Sequence, residues 1–191
     1  MVRGMAVATL VVAMMASAAG AQVISEFMAV NHSTMMDEDS EFNDWIEIWN
    51  PGAASVNLDG WYLTDDAADR TKWQFPAITL ESDAYRLVFA SRKDRTDPLG
   101  ELHTNFKLQA DGEYLALVMP DGMTVAHAYS PAYPPQIPDT PYTYGLSPVS
   151  GALVAFDIPT PGAANIPEPA TLSLLALGGL ALVRGRRRPA S

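Results

Sequence analysis

The chain has 191 residues, with 12 lysines and arginines against 22 aspartates and glutamates, a formal net charge of −10 and no cysteine. The lack of thiols excludes cysteine nucleophiles, thiolate metal sites and disulfide staples, so stability has to come from packing. The acidity opposes binding to a phosphate backbone, because that affinity is carried by lysine and arginine.

Residues 1–21, MVRGMAVATLVVAMMASAAGA, combine a charged start at Arg3, an apolar region over 5–16 and the small residues Ala19 and Ala21 at an A-x-A site. This is the pattern of a secretory signal helix cut by signal peptidase, and the apolar run is shorter than the ~20 residues of a spanning helix. The mature chain is expected to begin near Gln22, and 22–165 has the size of one domain with one hydrophobic core.

From there the pattern is of short alternating stretches divided by turn residues, without a helical period. VISEFMAV opens the domain. DEDSEFND follows, the densest carboxylate cluster, with Asp37, Asp39, Glu41 and Asp44 spaced as oxygen ligands to a hard cation such as Ca²⁺ are spaced when a loop wraps it. It departs from an EF-hand, since Phe42 stands where glycine is needed and Ile48 where the bidentate glutamate is needed. The other reading is a solvated acidic loop. In DWIEIWN, Ile46 and Ile48 share one strand face and Trp45, Glu47 and Trp49 the other. If the isoleucines fill the core, the two tryptophans flanking Glu47 either stack on a sugar or anchor a partner, or are covered by the proline-rich segment further on.

VNLDGWYLTD and KWQFP read as further strands, and the charged LTDDAADRTKW between them as a solvated, partly paired loop. In YRLVFAS the pattern places Tyr85, Leu87 and Phe89 on the buried side and Arg86 on the other. NFKLQADGEYLALVMPDGMTVAHAY reads as a three-stranded meander turning at Asp111-Gly112 and Pro120-Asp121-Gly122. The six prolines of SPAYPPQIPDTPYTYGLSP argue for an extended surface loop, GALVAFD for a last short strand, and PTPGAANIPEP for an exit linker. About seven strands with turns every 8–12 residues predict an all-β sandwich, with a jelly roll or small barrel as the alternative. The expected core includes Ile46, Ile48, Leu63, Leu87, Phe89, Leu115 and Leu117.

The end of the chain is different in kind. After Pro167-Glu168-Pro169 comes a fourteen-residue apolar run, 170–183, interrupted by Gly178-Gly179 and followed by Arg184, Arg186, Arg187 and Arg188. As a helix it reaches about 21 Å against a bilayer core of ~30 Å, short for a permanent anchor, while the arginines hold that end in the cytoplasm. Residues 166–191 therefore read as a sorting segment with a short membrane helix. They resemble the PEP-CTERM signal of exported bacterial proteins, with motif, apolar run and basic tail in order. The resemblance implies recognition and processing near the motif by an exosortase, a membrane-embedded transpeptidase-like enzyme.

The blocks VISEFMAVN, EFNDWIEIWNPG, VNLDGWYLTDD, KWQFP, LHTNFKLQADGEYLALVMPDG and PTPGAAN together resemble a bacterial lamin-tail domain over 22–165. The resemblance implies an immunoglobulin-like β-sandwich and a structural or binding module rather than an enzyme. Two positions depart from it: Ser40 stands where relatives often carry glycine, and Ser82-Asp83 replaces a glycine-rich turn.

Scattered histidines, His32, His103 and His127, give no zinc spacing, and no G-x-S-x-G elbow is present. The expectation is a non-catalytic exported module without an obligatory cofactor, placed at the cell envelope or in the extracellular matrix after transient insertion of its tail in the inner membrane. Its partners would be signal peptidase and exosortase during export, then an extracellular polysaccharide or surface protein, with nucleic acid disfavoured. The alternative is an accessory domain for a separately encoded extracellular hydrolase or nuclease.

Overall fold

The computed structural model describes residues 22–137 and 142–166. The signal segment with Ala19 and Ala21, and the tail from Pro167-Glu168-Pro169 through the expected membrane helix, lie outside the described residues.

Alternation of apolar and polar residues, cut by Asn, Asp, Gly and Pro turns, gives strands and no helix among the described residues. The strands are β1 (Val23–Met28), β2 (Asp44–Trp49), β3 (Val56–Asn57), β4 (Tyr62–Thr64), β5 (Trp73–Gln74), β6 (Thr79–Leu80), β7 (Tyr85–Ala90), β8 (Leu102–His103), β9 (Leu115–Val118), β10 (Val125–Tyr129), β11 (Thr143–Leu146) and β12 (Leu153–Phe156). A six-stranded sheet, ordered β12-β11-β1-β2-β7-β8, faces a four-stranded sheet, β10-β9-β4-β5, and β3 pairs with β6 alongside. This is the all-β sandwich expected from the turn spacing.

The core lies between the two sheets. Ile24, Phe27, Ile46, Ile48, Val88 and Leu102 from the larger sheet meet Leu63, Trp73, Leu115, Leu117 and Tyr129 from the smaller. Burying each such side chain is worth ~1.5–3 kcal/mol, and no disulfide assists. Phe27 joins the layers, with its ring centroid 5.1 Å from that of Tyr129 and 4.7 Å from that of Tyr133. The Tyr129 hydroxyl donates to the Ile24 carbonyl at 2.7 Å, so the buried phenol is satisfied across the layers.

Four expectations are corrected. First, Leu87 and Phe89 are not on the face between the sheets. The register pairs Trp45 with Phe89 and Ile46 with Val88, so Val88 enters the core while Phe89 packs with Met28 and Trp45 on the outer face. Both faces of this sheet are covered, and alternation alone does not tell the inner face from the outer. Second, NFKLQ is not a strand of a meander. It makes one bridge, Ser91 to Lys107, and buries Phe106 and Leu108 without a ladder, while β9 pairs with β10 and β4. Third, the proline-rich stretch contains β11, which lies between β1 and β12 inside the larger sheet. Fourth, the described residues hold twelve strands rather than about seven, several of them only two residues long.

A bulge in β1 sets two acids opposite one another. The register slips between Ile24 and Glu26, so Ile24 and Phe27 both reach the core while Glu26 lies opposite Glu47.

Candidate functional site

Three constellations lie on or beside the outer face of the larger sheet. The first is built by the acidic loop. Asp37 organises it: its Oδ1 accepts the backbone N–H groups of Asp39 and Glu41, each at 3.0 Å, and its Oδ2 accepts the Asn43 amide at 2.9 Å. Ser40 completes the turn with a φ of +62°. Asp37, Asp39 and Glu41 come together, with one carboxylate oxygen of each within 4.8 Å of the others. Asp44 does not join them. It lies in β2, where its Oδ1 accepts the Asn31 N–H at 3.3 Å, and burial pushes its carboxyl up to about 7.

The centre of the acidic trio is taken by Lys93, whose Nζ is 2.5 Å from Asp37, 2.6 Å from Asp39 and 2.9 Å from Glu41. Arg95 adds contacts to Glu38 at 2.5 Å and Asp39 at 2.7 Å. Burial opposes the charge on Asp37, but the Lys93 ammonium, the Glu41 and Asp39 N–H groups and the Asn43 amide together bring its carboxyl down to about 2. Lys93 follows β7 between two left-handed residues, Arg92 and Asp94, in a segment bridged to residues 103–107. The two loops are thus tied across more than fifty positions of sequence, a pairing with no local signal to reveal it.

Beneath this network the Ser91 hydroxyl lies 2.8 Å from Nδ1 of His103, whose Nε2 is 3.9 Å from Glu38. The order resembles a hydrolytic triad, but Ser91 is 6% and His103 0% exposed, so the pair presents no open face to a substrate. Burial, then the nearby Lys93, holds the imidazole below its ordinary pKa.

The second constellation is the buried acid pair. Glu26 and Glu47 are cross-strand neighbours, both wholly buried. Their partners are donors from the chain that closes the domain. The Thr160 N–H and hydroxyl reach Glu26 at 3.1 and 3.0 Å, the Thr143 hydroxyl donates to Glu26, and the Gly162 N–H donates to Glu47 at 2.5 Å. The Ser25 hydroxyl donates to Glu47 at 2.7 Å. Among the described residues no ion pair reaches either carboxyl. Burial pushes Glu47 up to about 7, with the neighbouring Glu26 adding to the rise, and burial raises Glu26 as well. The segment is fastened once more at Asn165, whose amide donates to the carbonyls of Ser25 at 2.9 Å and Leu146 at 2.8 Å. Gly145 makes room for it, since a Cβ there would stand 2.7 Å from the Asn165 amide nitrogen and 2.6 Å from the Ser25 carbonyl.

The expected face of Trp45, Glu47 and Trp49 is therefore divided. Trp45 packs against Met28 and Phe89 and is wholly buried, and Glu47 lies under the closing segment. Over Glu47 the cover comes from the closing segment, through Gly162, and over Trp45 from Met28, Met35, Leu87 and Phe89, rather than from the proline-rich loop. Trp49, at the end of β2, stays half-buried and borders the third constellation, a cavity of about 360 Å³ lined by Tyr85, Asp83, Leu146, Ser147 and Asn165 among others. The rings of Trp49 and Tyr85 are parallel within 7°, with centroids 5.9 Å apart, and the indole N–H donates to Asp83 at 3.0 Å.

Residues 15–131 match the model of the Lamin Tail Domain, and residues 165–188 match that of the PEP-CTERM protein-sorting motif. The first match spans more than half of the chain, so the chain belongs to the lamin tail domain family. The second marks it as an exported protein sorted by exosortase-type machinery. No curated protein matches the chain. The structure carries the fold past residue 131: β11, β12 and the clasp at 160–165 complete the larger sheet.

Proposed function

We propose that this protein is a non-catalytic structural or adhesion module, retained at the cell envelope or in the extracellular matrix after its tail has been processed. The observation that carries this reading is where the sorting motif begins. Asn165, the last residue bonded to the sheet among the described residues, is also the first residue of the matched sorting motif. Cleavage just beyond it would release the tail without breaking a hydrogen bond of the clasp. The buried acids, the Lys93 network and the Ser91–His103 pair all bond within the fold, which supports an architectural role for them over turnover. On this reading signal peptidase and exosortase act during export, membrane contact through the tail is transient, and the later partner is extracellular.

Intact-mass measurement of the protein recovered from its native envelope tests this, with an exosortase-deficient strain alongside. The parent strain should yield a species that lacks Arg184–Arg188, and the deficient strain one that keeps them. Retention of the arginines in both would make the tail a simple anchor.

A further inference from the structure

The cavity beside Trp49 lies where the closing segment leaves the outer face uncovered. Glu26 and Glu47 are capped, but at the next pair on this face, two residues further along the strands, Trp49 and Tyr85 stay half-buried, between the turn at 146–151 and residues 164–165. Trp45, Trp61 and Trp73 are at most 6% exposed, so Trp49 is the indole a ligand in this cavity would meet. We propose that this pocket binds a neutral sugar unit of an extracellular polysaccharide, which stacks on the Trp49–Tyr85 pair and hydrogen-bonds to Asp83.

The chemistry of the lining selects that class. A half-buried aromatic pair offers a flat apolar surface to the C–H face of a pyranose, and burying it on binding is favourable. Around it stand groups of both senses. One oxygen of Asp83 holds the Trp49 N–H, while the other has no partner among the described residues and can accept. The Tyr85 hydroxyl has no partner among the described residues, and burial with the nearby Asp83 and Glu47 charges keeps its proton on. Ser147 accepts the N–H groups of Val149 and Ser150, which leaves its own proton to donate. Sugar hydroxyls both donate and accept, and so satisfy such a set, whereas a purely apolar ligand would leave the carboxylate desolvated. Among the described residues no lysine or arginine lines the cavity, which with Asp83 and the net charge of −10 disfavours phosphates, uronates and nucleotides. A quaternary ammonium would suit the carboxylate but gives the two hydroxyl donors nothing to bond. The volume of about 360 Å³ falls within the ~300–1,000 Å³ of small-ligand clefts.

The inference rests on the reading of the domain as an exported binding module, and its test is independent of the tail. The full chain is titrated with cellohexaose, maltohexaose and a mannohexaose, then with an oligogalacturonate, a chitosan oligomer and choline, following tryptophan emission and binding heat. Saturable binding of at least one neutral hexasaccharide, with a change in Trp49 emission, is the expected result. Trp49→Ala should weaken it at least tenfold. Asp83→Asn, which keeps an acceptor for the indole, and Tyr85→Phe should each weaken it several-fold while the melting temperature stays near that of the parent. Absence of binding by every neutral sugar, equal or tighter binding of the charged probes, or binding unmoved by all three substitutions would overturn the proposal. None of these outcomes bears on the mass of the sorted protein, so the two readings fail separately.

Discussion

Ser40 and Asp83 hold φ angles of +62° and +60°, in the left-handed region where a side chain costs ~1–2 kcal/mol and glycine costs nothing. They fall at the two places where the resemblance leads to an expectation of glycine, and the backbone there has the conformation that glycine favours. At Asp83 the side chain gives something back through its bond to Trp49. At Ser40 no side-chain bond is seen among the described residues, and the side chain is exposed. Ser40→Gly should therefore raise stability by about 0.5–1 kcal/mol, read as a higher urea midpoint at unchanged slope. Asp83→Gly should gain less or lose, because it removes the indole's acceptor. Gly112 is the opposite case: at φ +88° its Cβ would stand 2.2 Å from the Tyr133 carbonyl, in a chain that also carries the Phe27 contact. Gly112→Ala should cost roughly 2–4 kcal/mol, measured by the same denaturation.

Two loops on the rim of the larger sheet are joined by one ammonium. Lys93 stands where a metal ion would have to sit among Asp37, Asp39 and Glu41, so we propose that calcium can enter only by displacing it. Millimolar calcium should then leave the melting temperature of the parent within about a degree, whereas Lys93→Met, which takes the ammonium from all three carboxylates and leaves only Asp39 paired, to Arg95, should melt lower without calcium and recover several degrees with it. A parent that responds as strongly as the variant would show that the lysine is no barrier. This network also marks the limit of what was legible beforehand. The carboxylate spacing was visible in DEDSEFND, but its counterion lies beyond β7, and no periodicity reports a contact at that separation. Strand existence was legible for β1, β2, β7 and β9, where apolar alternation is strong. The inward face of β7 was not, because Val88 and Phe89 are both buried, on opposite sides of one sheet. Trp49 was legible as a candidate contact residue, while its companions Asp83, Tyr85 and Ser147 come together only once β7 and the turn after β11 are in place. The clasp was read as a linker because PTPGAAN has turn composition, and its Thr160, Gly162 and Asn165 acquire their role only opposite Glu26 and Glu47.

At the scale of the whole molecule, the closing segment and the acid pair couple stability to pH. Glu47 in the fold titrates at about 7 instead of its ordinary 4.5, Asp44 at about 7 instead of 3.8, and Glu26 is also raised. A group raised in this way favours the folded state while protonated, so its contribution is complete below its unfolded pKa and is lost as pH rises through the folded one. Asp37 works in the other direction. Held at about 2 against 3.8, it contributes above pH ~4 and is lost as the solution falls toward pH 2. Together these place the stability maximum near pH 4–5, lower than the usual ~5–8, and the growing negative charge of the molecule at higher pH acts in the same sense. Burial also lowers the imidazoles of His103 and His127, which favours the fold as pH rises through 6.5 and offsets part of the acids' loss. Thermal melts of the full chain from pH 3 to 8 should rise to that maximum and then fall by roughly 2–5 kcal/mol between pH 5 and 8. Glu47→Gln isolates the cause. Its amide oxygen can keep the Gly162 N–H and its NH₂ can donate to Ser25, whose hydroxyl also lies 3.3 Å from the Glu47 carbonyl and can turn to it. The variant should match the parent near pH 5, exceed it at pH 8, and lose much of the slope between. Its closing segment should also resist proteolysis at pH 8 better than that of the parent, since the like-charge pair under Thr160 and Gly162 is gone. A parent whose melting temperature is flat or rising from pH 5 to 8 would mean that the donors of the clasp already hold both acids ionised in the fold.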